Sequence, residues 1–288
     1  MDEQFCKMMF GISSMPKIDL SLSEISIQAQ KVSGKLSISG VQPKLSVKLD
    51  KESNLLIPVE REGEYILKPQ TLTFENLSEN EQCCMDIANR LGIDVPMHCL
   101  IELKDKSLAY IVKRFDRNNG EKIHQEDFSQ ILEQKDKYKG SVEQIGKRIK
   151  DISTSVGEDL LALFERVVFF FLIGNGDAHL KNYTFVYYED GKQKRLSPAY
   201  DIVSSKLVIE GEEDSALTIN GKKNKLQRSD FDTFADYLEV PSDKSYGKFR
   251  DKLGIIEDLI SASKIDKNKQ VQFLDIVKDR YCRIYISG

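Results

Sequence analysis

Hydrophobic and polar positions alternate in short runs over the first part of the chain, a pattern typical of half-buried strands. Turn-forming residues separate these runs from one another. We predict strands at LSVKL (45–49), LLIPV (55–59), EYILK (64–68), HCLIEL (98–103) and LAYIVKRF (108–115). The first part of the chain is therefore expected to form a β-rich unit.

A helix is predicted between these strands, in the segment ENLSENEQCCMDIANRLGI. Ser78 is a good N-cap residue, and Glu81 follows it at the spacing of a capping box. Gly92 stands where a glycine is expected at the C-terminal end of the helix. A helix-capping role together with Ser78 is therefore one interpretation of Glu81.

After about residue 115 the apolar residues mostly recur at the spacing of helices. SVEQIGKRIKDI and GEDLLALFERVVFFFLIG are the clearest, and the second is apolar nearly all round, which predicts a buried helix. A hairpin is predicted at YTFVYYEDGKQKRLSP around an Asp-Gly turn, and the tail from Asp230 onward is again helical. We expect an α+β, bilobal protein-kinase-like fold, with a β-rich N-lobe at residues 1–115 and a mostly helical C-lobe at residues 116–288.

The formal net charge of −4 argues against a protein whose main role is to bind nucleic acid. The basic stretches at 147–150 and 221–228 are interpreted as solvated surfaces. The five cysteines form no CxxC pair, which argues against a disulfide framework or a cysteine zinc site. No signal peptide is evident, and the longest apolar run, Val167 to Ile173, is far below the roughly 20 residues of a membrane span. We expect a cytoplasmic protein without membrane or direct nucleic-acid binding.

The stretch GNGDAHLKN (174–182) places polar side chains directly after the apolar run VVFFFLIG. Phosphoryl transfer from ATP needs a carboxylate for the attacking hydroxyl and oxygen ligands for Mg²⁺. Protein kinases place these groups as D-x-x-x-x-N, with a further aspartate after a short β segment. Asp177 and Asn182 have this spacing, and Asp201 follows the predicted hairpin. We interpret Asp177 as a candidate catalytic base, and Asn182 with Asp201 as candidate magnesium ligands.

A purely structural role is the alternative, because each of these residues taken singly is more often a turn or capping residue than a ligand. His179 could act as a general base or support the loop from a buried position, and we favour support. Lys181 could contact phosphate or solvent. The sequence has no GxSxG elbow and no GxxxxGK[ST] loop, so a hydrolase of that type and a P-loop enzyme are disfavoured.

The cation that steadies the phosphates is expected on a strand of the first lobe, before a helix with an acidic partner. Lys68 ends the predicted strand EYILK, and Glu81 lies in the helix that follows. Glu81 can pair with Lys68 or cap its own helix together with Ser78. The sequence leaves both roles open.

The segment GKLSISGVQPKLSV (34–47) is the candidate phosphate-binding loop. Its turn at Gly40 would allow backbone N–H groups to lie over the phosphates of ATP, and Gln42 is a further candidate contact. An ordinary hairpin loop is the alternative. Phosphorylation of Ser37 or Ser39 would add negative charge where ATP phosphates are expected, which predicts an off-switch.

Several motifs together resemble the HipA-like serine/threonine kinases, the toxins of bacterial toxin–antitoxin modules. These motifs are SISGVQPKLSV, YILKPQ, NEQCCMDIANRLGI, VKRFDR, QEDFSQ, GNGDAHLKN and LSPAYDIVSS. The resemblance extends from about residue 35 to residue 205. It implies Asp177 as the catalytic base, Asn182 and Asp201 as magnesium ligands, and Lys68 as a contact of the ATP phosphates.

The resemblance also implies roles for the first lobe. The backbone of Lys113 and Phe115, in VKRFDR, would form the adenine-binding hinge, although Lys113 stands where long relatives usually carry glutamate. Ser37 falls at the autophosphorylated loop serine of the family, and Ser39 is a second candidate in the same SIS element.

The function that the resemblance implies is a growth-inhibiting toxin kinase that uses ATP and Mg²⁺. Its expected protein substrate is an aminoacyl-tRNA synthetase, and a helix-turn-helix DNA-binding protein is an expected partner. Long relatives carry an additional N-terminal subdomain before the candidate loop. This chain is similar to the short, HipT-like form, in which a separate small antitoxin corresponds to that subdomain.

Two other functions remain as alternatives. A small-molecule kinase of the aminoglycoside or choline kinase type shares the D-x-H-x-x-N loop, but SISGVQPKLS and QEDFSQ argue against it. A nucleotide-binding pseudokinase would act only by docking its partners. The presence of Asp177, Asn182, Asp201 and Lys68 argues against such a decayed site.

Overall fold

A computed structural model of the protein describes residues 2–33, 42–71, 73–118 and 121–286. The chain divides into two compact units. The first unit comprises Met1–Gln82 and Pro96–Lys122, and the second comprises Cys83–Val95 and Ile123–Gly288. The main sheet of the first unit has five strands and that of the second has three, and the second unit contains more of the helices.

A five-stranded antiparallel sheet forms the centre of the first unit. Its strands are β1 (Leu45–Asp50), β2 (Leu55–Pro58), β3 (Tyr65–Pro69), β4 (His98–Glu102) and β5 (Leu108–Lys113). The strand order in the sheet is β2-β1-β3-β5-β4. The strands β6 (Arg117–Asn118) and β7 (Glu121–Lys122) form a separate two-stranded antiparallel sheet. All five predicted strands are confirmed, with small shifts at their ends. Alternate residues of β1 face the core, as the sequence pattern requires.

Two helices that the sequence analysis did not predict precede the sheet, α1 (Glu3–Phe10) and α2 (Leu22–Ser33). Before α2, the N–H of Ser21 donates to Glu24 Oε2 at 2.8 Å, and the N–H of Glu24 donates to Ser21 Oγ at 3.3 Å. This is a capping box, so the S-x-x-E pattern was a sequence signal for this helix. Both helices contribute to the core of the unit, which includes Met9, Phe10, Ile25, Leu45, Val47, Leu67 and Ile111.

The helix α3 (Leu77–Arg90) begins one residue before Ser78. The predicted capping box is therefore wrong, because Ser78 lies inside the helix. The side chain of Gln70 takes the capping role instead, since its Oε1 accepts a hydrogen bond of 2.9 Å from the N–H of Leu77. The predicted glycine at the other end is confirmed: Gly92 follows the helix with a φ of 78°, a left-handed conformation that glycine adopts readily.

The second unit contains more helix than strand, and its strands form a three-stranded antiparallel sheet. The elements are β8 (His124–Asp127), α4 (Phe128–Ile131), α5 (Val142–Ile152), α6 (Val156–Leu172), β9 (Thr184–Tyr188), β10 (Gln193–Leu196), α7 (Arg228–Leu238), α8 (Ser242–Phe249), α9 (Leu253–Ala262) and α10 (Lys267–Tyr285). The predicted hairpin is confirmed as β9 and β10, and the helical tail as α7 to α10. The strand β8, which pairs with β9, was not predicted.

The helix α6 lies at the centre of the second unit, where it packs against α5, α7, α8 and α10. Its apolar residues are buried on nearly all sides, as the sequence predicts. Arg166 is buried with them, and its Nη2 donates to the carbonyl of Ser197 at 2.6 Å. Across the described residues no helix, α6 included, has the length and apolar character needed to cross a membrane.

Candidate active site

Residues 174–182 form the loop that follows α6, and a neighbouring segment holds its main chain. The N–H of Gly176 donates to Ser205 Oγ at 2.7 Å, and the N–H of Lys206 donates to the carbonyl of Gly174 at 3.1 Å. Gly174 has a φ of 70°, which glycine adopts without strain. The candidate catalytic loop is therefore hydrogen-bonded to the segment that follows the candidate magnesium aspartate.

Asp177 lies in this loop with its side chain partly exposed. Its backbone N–H donates to Asn175 Oδ1 at 3.2 Å, a contact that shapes the turn. Its Oδ1 accepts a hydrogen bond of 2.8 Å from the hydroxyl of Tyr138. No donor among the described residues reaches the other oxygen, Oδ2, so this oxygen is available to an incoming hydroxyl.

Asn182 and Asp201 contact each other directly, because Nδ2 of Asn182 donates to Oδ2 of Asp201 at 3.0 Å. Oδ1 of Asn182 accepts a hydrogen bond of 3.0 Å from the N–H of His179 and retains a second lone pair. Asp201 is exposed and has a φ of 58°. This left-handed conformation is uncommon outside glycine, although Asp and Asn adopt it more often than other residues do.

The oxygen groups of Asn182 and Asp201 fit Mg²⁺. This ion prefers oxygen ligands, retains several waters and is usually bound by one or two carboxylates together with substrate phosphates. The Asp201 carboxylate and Oδ1 of Asn182 supply such oxygens on adjacent side chains. In the part of the chain that the structure describes, no group of three or more histidine, cysteine or carboxylate side chains is placed to hold a metal ion. Phosphate and water are the usual further ligands of Mg²⁺ at such a site.

His179 is buried, whereas Lys181 is exposed. Burial and the nearby charge of Lys137 lower the pKa of His179 below its ordinary value, so the neutral imidazole predominates near pH 7. Its ring lies edge-on to the ring of Tyr138, with centroids 5.3 Å apart. The carbonyl of Lys181 accepts a hydrogen bond of 2.7 Å from the hydroxyl of Tyr200. These surroundings suit a supporting role for His179 and leave the side chain of Lys181 in solvent.

Lys68 and Glu81 form a buried ion pair in the first unit. Lys68 Nζ lies 2.6 Å from Glu81 Oε1, and the two side chains are 11% and 1% exposed. The strand β3 supplies the lysine, and the helix α3 supplies the glutamate. Tyr110, which lies opposite Lys68 on β5, places its ring centroid 5.6 Å from the ammonium group. Glu81 therefore pairs with Lys68, which is one of the two roles that the sequence left open.

Two further candidates of the first unit, Gln42 and Lys113, lie beside the same sheet. Gln42 Nε2 donates to the carbonyl of Pro69, the residue after Lys68, at 3.0 Å. Lys113 ends β5, and its backbone N–H donates to the carbonyl of Met97 at 2.8 Å. This N–H is thus used within the protein, so a hinge contact from Lys113 would have to come from its carbonyl.

Phe115 lies in a turn that is fixed by Asp116, a residue that the sequence analysis did not single out. Arg114 donates twice to the carboxylate of Asp116, at 2.8 and 2.7 Å, and Arg117 donates once at 2.7 Å. Burial opposes the charge of Asp116, but the two guanidinium groups lower its pKa below the ordinary value. The motif VKRFDR thereby holds the main chain on both sides of Phe115.

Three candidates, Ser37, Ser39 and Gly40, lie outside the described residues. Conversely, the structure adds two contacts of the candidate catalytic loop, Tyr138 and Ser205. Ser205 belongs to the motif LSPAYDIVSS and could have been suspected from it. Tyr138 stands 39 positions from its partner in the loop, and no local pattern connects the two.

Comparison with solved structures defines the class of the fold. HipA from Shewanella oneidensis, solved in a toxin–antitoxin complex with HipB and its operator DNA, is similar to this chain with a TM-score of 0.69. The similarity covers 86% of this chain and 65% of the HipA chain, at 21% sequence identity. At this identity the likeness concerns the fold alone. The predicted α+β, kinase-like fold is thereby confirmed.

Comparison with protein families and curated proteins defines the relationship. The model of the HipA-like C-terminal domain matches residues 36–264. A protein of Haemophilus influenzae named a putative kinase is 36% identical over 204 residues, which cover 66% of this chain and 58% of that protein. The serine/threonine-protein kinase toxin HipA of Shewanella oneidensis is 28% identical over 232 residues, which cover 72% of this chain and 52% of that protein. The chain belongs to the HipA-like family, and it spans little more than half the length of these curated relatives.

Proposed function

We propose that this protein is an ATP- and Mg²⁺-dependent serine/threonine protein kinase. The observation that carries the proposal is the contact between Asn182 and Asp201. Asn182 belongs to the same loop as Asp177, and the segment that follows Asp201 is hydrogen-bonded to that loop. In protein kinases, residues in this pattern are the magnesium ligands and the catalytic base. Membership of the HipA-like family supports the same activity.

The proposed roles follow from the side-chain chemistry. Asp177 accepts the proton of the substrate hydroxyl as the hydroxyl oxygen attacks the γ-phosphorus of ATP. Asn182 and Asp201 would hold Mg²⁺, and the bound ion would neutralise phosphate charge. Lys68, which Glu81 holds in place, binds the phosphates of ATP. Each of these groups acts by position and charge, as phosphoryl transfer requires.

The remaining nucleotide contacts are proposed from the resemblance together with the geometry of the first unit. By the resemblance, Gly40 and Gln42 belong to the segment that binds the phosphates through backbone N–H groups. The main chain at Phe115 and the carbonyl of Lys113 contact the adenine base. Lys181, which is exposed beside the loop, contacts phosphate or solvent.

We further propose that the kinase acts in the cytoplasm as the toxin of a toxin–antitoxin system. Its proposed substrate is an aminoacyl-tRNA synthetase, and autophosphorylation at Ser37 or Ser39 switches it off by adding negative charge where the ATP phosphates bind. The name of the HipA toxin and the complex of HipA with HipB and operator DNA support this proposal. The proposed partners are a helix-turn-helix DNA-binding protein and a small antitoxin that resembles the N-terminal subdomain of long relatives.

Mass spectrometry of the purified, phosphatase-treated chain tests the activity. After incubation with Mg²⁺ and ATP, new phosphate should occur on Ser37 or Ser39 of the wild type. It should be absent with EDTA and reduced about 10³-fold in Asp177→Asn. Binding of ATP without any phosphate transfer would contradict the proposal and favour a pseudokinase. Transfer to aminoglycosides or choline alone would indicate a small-molecule kinase instead.

Substitution of Glu81 tests the role of its ion pair. Glu81→Gln should lower kcat/KM for ATP by about 10²-fold, or about 2.7 kcal/mol, because Lys68 is no longer held in place by an opposite charge. Glu79→Gln is the matched control, since Glu79 is also buried on α3 but accepts its hydrogen bond of 2.7 Å from Gln70. Steady-state kinetics over a range of ATP concentrations measure both variants. Losses of equal size would contradict a specific role for Glu81.

A methyl group at Gly176 should displace the catalytic loop. A Cβ at this position would lie 2.5 Å from the carbonyl oxygen of Glu213 and 2.6 Å from Cγ of Glu212. Gly176→Ala should therefore slow phosphate transfer by about 10²-fold, the effect of a displacement of about 1 Å at reacting groups. In the control Gly157→Ala, the new Cβ meets nothing within 4 Å, and transfer of ³²P from ATP should proceed at the wild-type rate. A wild-type rate in Gly176→Ala would refute the expected displacement.

A further inference from the structure

Tyr138 contacts the proposed catalytic base from outside the catalytic loop. It lies in the segment between α4 and α5, and the residue is 41% exposed. Its hydroxyl donates to Oδ1 of Asp177 at 2.8 Å. A hydrogen bond to a charged carboxylate is stronger than one between neutral groups, and it restricts the orientation of the carboxylate. The contact therefore acts on the group that receives the substrate proton.

Hydrogen bonds fix the main chain around Tyr138. The N–H of Leu180, in the catalytic loop, donates to the carbonyl of Lys137 at 3.1 Å. Lys223 Nζ donates to the carbonyl of Tyr138 at 3.2 Å, and the N–H of Tyr138 donates to Asp136 Oδ1 at 3.0 Å. Because one of these bonds comes from the catalytic loop itself, the position of Tyr138 is coupled to the position of Asp177.

The ring of Tyr138 has contacts of its own. The imidazole of His179 meets it edge-on at 81°, and Lys137 Nζ lies 4.8 Å from its centroid. Burial and the hydrogen bond to Asp177 raise the pKa of Tyr138 above its ordinary value. The hydroxyl is therefore protonated at neutral pH, and it donates to the carboxylate.

We propose that Tyr138 is a positioning residue for Asp177, an inference that rests on the proposed kinase function. Its hydroxyl holds Oδ1 of Asp177 and so presents Oδ2 to the substrate. The substrate oxygen forms a bond to the γ-phosphorus while the bond from this phosphorus to the β–γ bridging oxygen breaks, and ADP leaves. The proton of the substrate hydroxyl passes to Oδ2 of Asp177. Tyr138 neither gains nor loses a proton in this step.

A blocking role for Tyr138 would have the opposite effect on the reaction. A tyrosine that covered the base in the resting protein would slow phosphate transfer, and its removal would accelerate it. Positioning is the better interpretation because the hydroxyl bonds Oδ1 and leaves Oδ2 of Asp177 accessible. The bond between the main chain of Lys137 and Leu180 also argues against a side chain that swings away.

Tyr138→Phe tests the proposal, since it removes the hydroxyl and keeps the ring against His179 and Lys137. The rate constant of autophosphorylation at saturating ATP should fall about 10-fold, while the ATP concentration for half-maximal rate stays within about twofold. Tyr237→Phe is the matched control. Tyr237 is 44% exposed on α7, with its ring 5.8 Å from Lys150 Nζ, and the rates of this variant should equal those of the wild type.

A double substitution separates positioning from a general structural role. In the Asp177→Asn background, Tyr138→Phe should cause no further loss of the residual ³²P transfer, because no carboxylate is left to position. An active wild type with an unchanged or faster Tyr138→Phe variant would overturn this inference alone. An equal loss in both backgrounds, or a loss of ATP affinity, would overturn it in favour of a structural role. No transfer by the wild type would overturn the proposed function and this inference with it.

Discussion

Phosphate transfer from ATP should fall by about 10³-fold when Asp177 is replaced by Asn, since a positioned acid–base group contributes about 10²–10⁴-fold to a rate. The carboxamide has nearly the shape of the carboxylate, but it cannot accept the proton of the substrate hydroxyl. It still offers Oδ1 to the hydroxyl of Tyr138, and it leaves the contact between Asn182 and Asp201 untouched. The loss should therefore fall on the rate of transfer and leave the binding of Mg·ATP intact.

Two measurements on Asp177→Asn separate chemistry from binding. Transfer of ³²P at saturating ATP gives the rate, and isothermal titration calorimetry with Mg·ATP gives the affinity. Asp236→Asn makes the same change of charge at an exposed position of α7, and it should behave as the wild type. A loss of tenfold or less in Asp177→Asn would exclude Asp177 as the main base. A loss of ATP affinity would point to a disturbed fold.

The strands of the first unit could be predicted because each one carries its own signal. In β1, Leu45, Val47 and Leu49 are buried and alternate with more exposed residues, so the pattern in the sequence is the pattern of the pleat. The signal for the end of α3 was equally local, since Gly92 supplies the left-handed conformation that ends the helix. Such features depend on neighbouring residues alone.

Features that depend on distant residues could not be predicted in this way. The spacing of Ser78 and Glu81 fits a capping box, yet Glu81 lies 2.6 Å from Lys68, 13 positions away. A buried carboxylate requires a partner of opposite charge, and this requirement outweighs the gain from capping the helix. At the start of α3, the side chain of Gln70 accepts the hydrogen bond of the Leu77 N–H instead.

The candidate site shows the same division. The contact of Asn182 with Asp201 could be anticipated because a predicted hairpin, β9 and β10, connects the two positions and returns the chain. The hydrogen bond from Tyr138 to Asp177 joins segments on either side of α5 and α6, so only the packing of those helices brings the two side chains together. The catalytic roles of these residues remain predictions until the substitutions are made.

The largest expected effect on stability concerns Asp214, which lies buried between two arginines of α10. Its Oδ1 lies 2.6 Å from Arg280 Nη2, and its Oδ2 lies 2.9 Å from Arg283 Nη1. Oδ2 also accepts a hydrogen bond of 3.0 Å from the N–H of Leu226. Both guanidinium groups lie near the ring of Phe171, at 4.6 and 4.8 Å from its centroid. Asp214 is thus the counter-charge of two largely buried cations.

Asp214→Asn should lower the free energy of unfolding by about 3–5 kcal/mol, because it removes the buried counter-charge of both guanidinium groups and leaves only the exposed Asp279 near them. Urea denaturation measures the change. The matched control is Asp279→Asn, since Asp279 pairs with Arg283 at 3.2 Å but its side chain is 64% exposed. An exposed ion pair contributes about 0–1 kcal/mol, so the control should change little. Similar losses in the two variants would contradict the importance of the buried pair.

The pH dependence of this loss tests whether the charge of Asp214 is its cause. Burial alone would raise the pKa of Asp214, but the hydrogen bonds and charges of Arg283 and Arg280 bring it below its ordinary value. A carboxyl with a lowered pKa stabilises the fold above its unfolded pKa of about 3.9, and this stabilisation is lost as the pH falls through the folded pKa. The difference in unfolding free energy between the wild type and Asp214→Asn should therefore be constant from about pH 5 to 8 and shrink below about pH 4. A difference that persists undiminished in acid would mean that the shape of the side chain matters and its charge does not.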